Sequence, residues 1–535
     1  MRKKFLLGIL VAAMAFSVVG CGSKKSNTGN QKEVKSLETY VDDTSVTPKE
    51  GGTFKLGVYG SPTCIGYPGD ILTMMNREAS QPCIETLVQV GDDGELEPLL
   101  LESFEELPEE NKIVLHCRDG VKFHDGTVCD AEAIKYNLET TFEYLALEYP
   151  CDISFVVVDD LTLEIQMSQW VRGVTYDLLY EYGKIASPTY LKSVDYDTAC
   201  FNPVGTGPFV FDSYDVDEKI TYKKNENYYG DGPYVDAIEI YIFNDEAGIK
   251  SALQTQAIDA VIDAEYTVNA DYSAMDGIIK TSRNTLSGCM TYNILFGAVD
   301  GTPLADSDVR KAISYACDLK TIADSMKEYG AVYSNQMAPA DAYDHTDNVT
   351  GYSYDVDKAK ELLEQAGYKD GFELTGYYYN AEPISGDIMT MMQAYLSEVN
   401  IKLNITPIDI AALSEYLFGG GCDGIIITGN NGTPEQMTAF QEQSMGGSAG
   451  SICEPVLADS KEAVDLYDKA LLSLTEEDEV KYVAEGNAII YDQDCIATGI
   501  LTLYPQAYAR DYVRGSKIGY NNVTQWSPAT VWLDK

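Results

Sequence analysis

The stretch from Gln81 to Leu138, QPCIETLVQVGDDGELEPLLLESFEELPEENKIVLHCRDGVKFHDGTVCDAEAIKYNL, sets the frame for the rest of the chain. Ile84 to Val90 is an apolar run that ends at a turn signal, Asp92-Asp93-Gly94. Ile113 to Arg118 has strand propensity and meets Asp119-Gly120, a dipeptide suited to the positive φ angles of tight hairpins. Val121-Lys122-Phe123 is therefore expected as the return strand, closed by His124-Asp125-Gly126. Asp130 offers an N-cap to a helix starting Ala131-Glu132-Ala133-Ile134, with Glu132 in the first turn where the helix dipole favours an acid. The order is strand, loop, hairpin, helix, which is α/β.

Outward from that stretch, the N-terminus speaks to compartment. Arg2-Lys3-Lys4 is a positive leader, and Phe5 to Gly20 is apolar apart from Ser17. A stable span needs roughly 20 apolar residues, so this run is short for one, and residues 1–20 are expected to be a signal peptide. Val18-Val19-Gly20-Cys21 resembles a bacterial lipobox, which makes Cys21 the expected site of lipid attachment. An ordinary signal peptide cut nearby is the alternative; the polar Gly22-Ser23-Lys24-Lys25-Ser26-Asn27 directly after the cysteine argues against it. Two acyl chains on one residue suffice for stable anchoring. The expected location is thus the extracytoplasmic face of the cell membrane, with the membrane touched through the lipid anchor only. Residues 21–50 are polar, lack apolar periodicity and read as a lipid-anchored flexible tether.

Composition narrows the class of partner. A chain of 535 residues exceeds a single core and is expected to form two or three lobes. Its 45% hydrophobic and 11% aromatic content belongs to a folded body. The net charge of −46 opposes nucleic-acid binding, because phosphates are repelled, and it keeps a surface soluble. Twelve cysteines include Cys21 and show no C-x-x-C spacing, so no disulfide framework and no zinc site follows from them. They are expected to be small buried hydrophobes.

The order of motifs is more specific than any one of them. Leu96-Glu97-Pro98-Leu99-Leu100-Leu101-Glu102-Ser103-Phe104 is followed by Leu115-His116-Cys117-Arg118-Asp119-Gly120-Val121-Lys122-Phe123-His124-Asp125-Gly126-Thr127 and by Ala131-Glu132-Ala133. Then come Gly205-Thr206-Gly207-Pro208-Phe209, Asn225-Glu226-Asn227-Tyr228-Tyr229, the helix run Val309-Arg310-Lys311-Ala312-Ile313-Ser314-Tyr315-Ala316-Cys317-Asp318, and a second helix over 357–366 ended by Gly367. This ordered set resembles the extracytoplasmic solute-binding proteins of peptide/nickel-type ABC importers, family 5. Cys117, Ala133 and the pair Thr255-Gln256 depart from the family's wording.

The resemblance implies a periplasmic-binding-protein-like two-lobe fold (class II) of α/β type with an extra inserted subdomain. Mapped onto this chain, residues 51–83, 205–290 and 495–535 form the hinge-side lobe, 84–204 the inserted subdomain and 291–494 the second lobe. It also implies capture of a peptide or similar small organic solute in an interlobe cleft and delivery to ABC permease subunits. A surface sensor or pheromone-peptide receptor of the same fold, acting on a signalling partner, is the alternative. A monomer without cofactors is expected.

Catalytic and metal readings fare poorly. Gly446-Gly447-Ser448-Ala449-Gly450 matches the G-x-S-x-G pattern, but that elbow needs a preceding strand and a later histidine, and His116, His124 and His345 all lie upstream. His124-Asp125 has no suitably spaced third ligand, and Asp215-x-Asp217 and Asp355-x-Asp357 lack the glycine and distal glutamate of a calcium loop. No catalytic and no metal residues are therefore expected. Binding chemistry remains: 39 tyrosines offer apolar faces with hydrogen-bonding tips. The candidates are Tyr59 after the first strand, Tyr377 and Tyr378 after the strand Phe372-Glu373-Leu374-Thr375, Trp526, and Asn430 and Asn431. In peptide-binding relatives the strand end near 428–432 often carries a tryptophan and an ammonium-pairing aspartate. Here Thr428 or Gly429 and Gly432 stand there, so the asparagines could bond a neutral or mixed ligand, or simply cap the loop.

Overall fold

Phe54, Leu56 and Val58 alternate along the strand Thr53–Tyr59 and are fully buried, which seats this strand in the middle of a sheet. The computed structural model describes residues 46–91, 94–147, 149–264, 272, 274–282, 289–340, 342, 345–380, 382–418, 422–431, 461–504, 506–519 and 525–535. Cys21, the expected tether and Gly446–Gly450 lie outside them. The described residues divide into two units, one within Val34–Gly288 together with Pro505–Lys535, the other within Cys289–Tyr504.

In the first unit a seven-stranded sheet runs in the order Phe209–Asp215, Lys219–Lys224, Ala237–Phe243, Thr53–Tyr59, Ala260–Ala264, Gln506–Arg510, Ile278–Lys280. Thr53–Tyr59 is parallel to both of its neighbours. A separate apolar cluster, from Leu87 to Ile185, is built on a four-stranded antiparallel sheet of Leu101–Leu107, Lys112–Cys117, Thr162–Met167 and Ile153–Asp159. The helix Ala131–Leu145 packs on it, and Asp130 accepts the expected cap bond from the Ala133 N–H at 2.9 Å.

The hairpin at Asp119-Gly120 does not form. Lys112–Cys117 already pairs with Leu101–Leu107 on one side and Thr162–Met167 on the other, so both edges are taken. Val121 to Phe123 instead enters a turn in which the Phe123 N–H donates to the Thr127 carbonyl at 2.9 Å. A second correction concerns cysteine. Cys64 and Cys200 form a disulfide across 136 residues, tying the loop after the first strand to the helix Tyr196–Phe201. Their partnership is tertiary and leaves no spacing to read. Among the described residues, seven of the other eight cysteines are buried, as small hydrophobes would be.

The second unit holds a six-stranded sheet in the order Ala331–Tyr333, Ala497–Leu503, Met290–Gly297, Gly424–Asn431, Phe372–Tyr379, Ile401–Ile408. Residues 495–504 were expected in the hinge-side lobe; Ala497–Leu503 pairs with Met290–Gly297 and so belongs here. The cause is visible in Arg310, on the helix Ser307–Ala316. Read as polar, it is 1% exposed on the same helix as buried Val309, Ile313 and Ala316. Its guanidinium donates to the carbonyls of Cys495 (2.9 Å), Asp494 (2.6 Å) and Leu304 (2.7 Å), fastening that stretch to the helix. The helix Val356–Gln365 ends as expected, with Gly367 at φ +87°.

Candidate functional site

Three of the motifs behind the family resemblance, those around His124, Thr206 and Tyr228, gather about one buried carboxylate in the first unit. Glu85 is 5% exposed; Oε1 accepts from the Tyr228 hydroxyl (2.8 Å) and the Tyr229 hydroxyl (3.1 Å), and Oε2 from that of Thr206 (2.8 Å). Burial pushes its carboxyl upward, and those hydroxyls hold it back. Thr206 arrives on a bend so tight that a Cβ on Gly205 would stand 2.0 Å from the Cys83 carbonyl oxygen. His124 belongs to the same hub, with Nε2 2.9 Å from the Gly207 carbonyl oxygen. Asp125 is spent on Thr127 and Ser187. These groups bind the chain to itself.

Trp526 lies nearby. It is 3% exposed, its Nε1 donates to the Glu78 carbonyl at 3.1 Å, and its ring centroid is 5.8 Å from that of Phe54. With Arg77, Gln81, Glu85, Lys184 and Tyr228 it lines a cavity of about 100 Å³, room for a few waters at about 30 Å³ each. Arg77 pairs there with Glu181 at 2.9 Å, and burial pushes the Lys184 ammonium down to about 7, with Arg77 adding to the effect. Tyr59 closes the first strand with its hydroxyl donating to the Asn244 carbonyl at 2.9 Å.

The other four candidates come together at one end of one sheet in the second unit. Ile401–Ile408, Phe372–Tyr379 and Gly424–Asn431 run parallel, and open α/β sheets bind ligands beyond the carboxyl ends of such strands. Tyr377 and Tyr378 are half-buried in the strand itself, which continues through Tyr379. The Tyr377 ring meets Tyr416 edge-on at 5.1 Å, and Tyr378 lies over Gly386 of the helix Pro383–Ser397. Asn430 and Asn431 pair through their backbones with Thr291 and Met290; their side chains lie outside the described residues. At Gly429 a Cβ would stand 2.6 Å from Met290 Cε and 3.0 Å from the Tyr292 ring, so a tryptophan does not fit there.

The sequence reading missed Glu382. A turn carries it from Tyr379 to the start of the helix Pro383–Ser397, and it is 6% exposed. Its Oε2 accepts from the Gly429 N–H (3.2 Å), the Thr428 hydroxyl (3.3 Å) and the Ser385 hydroxyl (3.2 Å). Oε1 is buried without a hydrogen-bond partner. Burial pushes the carboxyl upward, opposed by those three donors. Thr428 stands directly opposite Asn293, which is fully buried with both side-chain polar atoms unpartnered. A lone glutamate before a proline carries no local signal of this.

The fold is a mixed α/β frame with half-buried tyrosines and a buried carboxylate at the carboxyl ends of its parallel strands. The chain belongs to the bacterial extracellular solute-binding proteins, family 5, whose characteristic region matches residues 95–451. It is 25% identical over 529 residues to heme-binding protein A of Haemophilus influenzae, covering 92% of this chain and 93% of that one. To the dipeptide-binding protein of Escherichia coli it is 24% identical, over 70% and 78% of the two chains. In fold it is similar to the ABC transporter-associated periplasmic binding protein DppA of Helicobacter pylori, solved with the peptide STSA. The TM-score is 0.71 at 21% identity, covering 91% of this chain and 99% of that one. Among the described residues, no helix is long and apolar enough to cross a membrane.

Proposed function

We propose that this chain is a non-enzymatic receptor that captures a peptide or similar small organic solute and delivers it to ABC permease subunits. Cys21 carries the lipid that holds the monomeric receptor at the outer face of the cell membrane. Family membership supports the reading, as do relatives whose names specify a dipeptide, a peptide and heme. The observation that carries it is the strand-end cluster of the second unit. Tyrosines, backbone groups and a buried carboxylate lie there, a chemistry suited to binding a small solute. Such a receptor works by closing on its ligand, with contacts that favour the closed state.

Native mass spectrometry of the purified full chain tests this. A small solute bound one to one, released unchanged on denaturation, is the expected result. A chain that carries nothing, and whose melting temperature no peptide pool raises, would overturn it.

A further inference from the structure

The Cys64–Cys200 disulfide has a third group beside it. One carboxylate oxygen of Asp70 and the two Sγ atoms lie within 4.8 Å of one another, and among the described residues this is the one trio of such groups placed to share an ion. Cys64 and Cys200 are 0% and 2% exposed, while Asp70 is half-buried, so water reaches the trio from the carboxylate side. What holds these residues in place does not pass through sulfur. Asn76 Oδ1 accepts from the Thr63 N–H (2.8 Å) and the Cys64 N–H (3.3 Å), and its Nδ2 donates to the Asp70 carbonyl (2.8 Å). The Ile65 N–H donates to the Cys200 carbonyl at 2.8 Å. Gly66 packs so closely on the helix Tyr196–Phe201 that a Cβ would stand 2.1 Å from the Ala199 carbonyl oxygen. The backbone at all three positions is therefore fixed by hydrogen bonds that survive opening of the S–S bond.

The donor set has a definite chemistry. Two thiolates and a carboxylate suit a tetrahedral Zn2+, whose ligand atoms stand about 3–4 Å apart when Zn–S is about 2.3 Å. Thiolates alone would suit Cu(I); the harder carboxylate oxygen favours zinc. Asp70 is also oriented from behind, because the Tyr196 hydroxyl, on the helix of Cys200, donates to its Oδ2 at 2.5 Å. Metal-bound carboxylates are commonly held by such a partner. The rest of the chain is rich in thiols: among the described residues eight cysteines are free, and Cys151 is half-buried rather than buried. Free thiols on this scale belong with surroundings in which dithiol reductants act.

We propose that Cys64, Cys200 and Asp70 form a zinc site when their disulfide is reduced, with a water as fourth ligand. A dithiol reductant supplies two electrons and two protons, becomes a disulfide itself and leaves two thiols. Zn2+ then displaces the two thiol protons to solvent and takes both sulfurs as thiolates. The tie between the loop after Thr53–Tyr59 and the helix Tyr196–Phe201 is covalent in the oxidised chain and metal-held in the reduced one. The site is separate from solute capture, and its failure leaves that reading intact.

The test uses the purified full chain, oxidised or reduced with a phosphine, and Co2+ as the spectroscopic probe that Zn2+ displaces. The reduced wild type is expected to show a sulfur-to-cobalt charge-transfer band with tetrahedral visible bands, both removed by Zn2+. The oxidised chain keeps every other thiol and is expected to show neither. The double variant Cys64→Ser, Cys200→Ser is expected to lose the band under reduction. Asp70→Asn should keep it with affinity at least tenfold weaker, and Tyr196→Phe should weaken Zn2+ binding by about tenfold. Zn2+ should raise the melting temperature of the reduced wild type and leave that of the oxidised chain unchanged. A reduced wild type without the band, a double variant that keeps it, or an Asp70→Asn that binds as tightly as wild type overturns the inference. So does a reduced wild type that unfolds before metal is added, because the Asn76 bonds would then not hold the ligands. Equal melting temperatures of oxidised Asp70→Asn and oxidised wild type separate a lost ligand from a lost fold.

Discussion

Two buried glutamates, one in each unit, show how similar burial serves opposite ends. Glu85 is 5% exposed and Glu382 6%, and burial drives both carboxyls upward. Glu85 has both oxygens filled by hydroxyls from Thr206, Tyr228 and Tyr229, residues 121 to 144 positions away. It ties the short strand Glu85–Thr86 to the loops carrying Thr206, Tyr228 and Tyr229. Glu382 has one oxygen filled and one empty. A completed carboxylate is architecture; an incomplete one leaves hydrogen-bonding capacity unfilled at a cost to the folded chain.

The largest effect expected from breaking this contrast is at Glu85. Glu85→Ala takes the acceptor from the buried Thr206 hydroxyl and the half-buried Tyr228 hydroxyl, while Tyr229 keeps the Leu99 carbonyl at 3.3 Å, and should lower unfolding free energy by about 2 kcal/mol in urea titration. A loss under about 1 kcal/mol would show that the hub is not a keystone. Asp177 is an intermediate case, with one donor, the Tyr149 hydroxyl at 3.0 Å. Burial, with Glu181 adding to it, raises its carboxyl from 3.8 to about 7. The folded chain therefore keeps a proton that the unfolded chain releases, so this group makes stability fall as pH rises from about 4 to about 7. Asp177→Asn should remove that part of the slope and add about 2 kcal/mol above pH 7, read as the difference between variant and wild-type denaturation curves. A variant curve parallel to wild type across that window would refute the assignment. The smallest effect is at Glu382. Without ligand, Glu382→Gln should cost no stability and gain up to about 1 kcal/mol, since it removes a buried charge with an unfilled oxygen. A clear destabilisation would make Glu382 a second Glu85.

Features governed by near neighbours were legible in the chain. Asp130 caps its helix as expected and Gly367 terminates another; Asp306 and Asp355 cap theirs too, although the sequence reading did not single them out. Strands ending near Thr375 and Thr428 were expected, but their parallel adjacency is a tertiary fact. What escaped depended on distant partners. The Val121–Phe123 strand failed because Thr162–Met167 had claimed the edge. The Cys64–Cys200 bond spans 136 residues, and Arg310 is buried because carbonyls at 494 and 495 come to it. Tyr59 and Trp526 lie in the other unit, each held by a backbone carbonyl.

The amino-acid order by itself determined the family, the α/β character and the helices beginning near 131, 307 and 356, because those rest on periodicity, caps and motif order over a few residues. Only the tertiary structure decided which buried acid is complete and which is open. Hydrogen-bond satisfaction belongs to the set of atoms within about 3 Å of an oxygen. At Glu85 and Glu382 that set is assembled from residues the sequence keeps far apart.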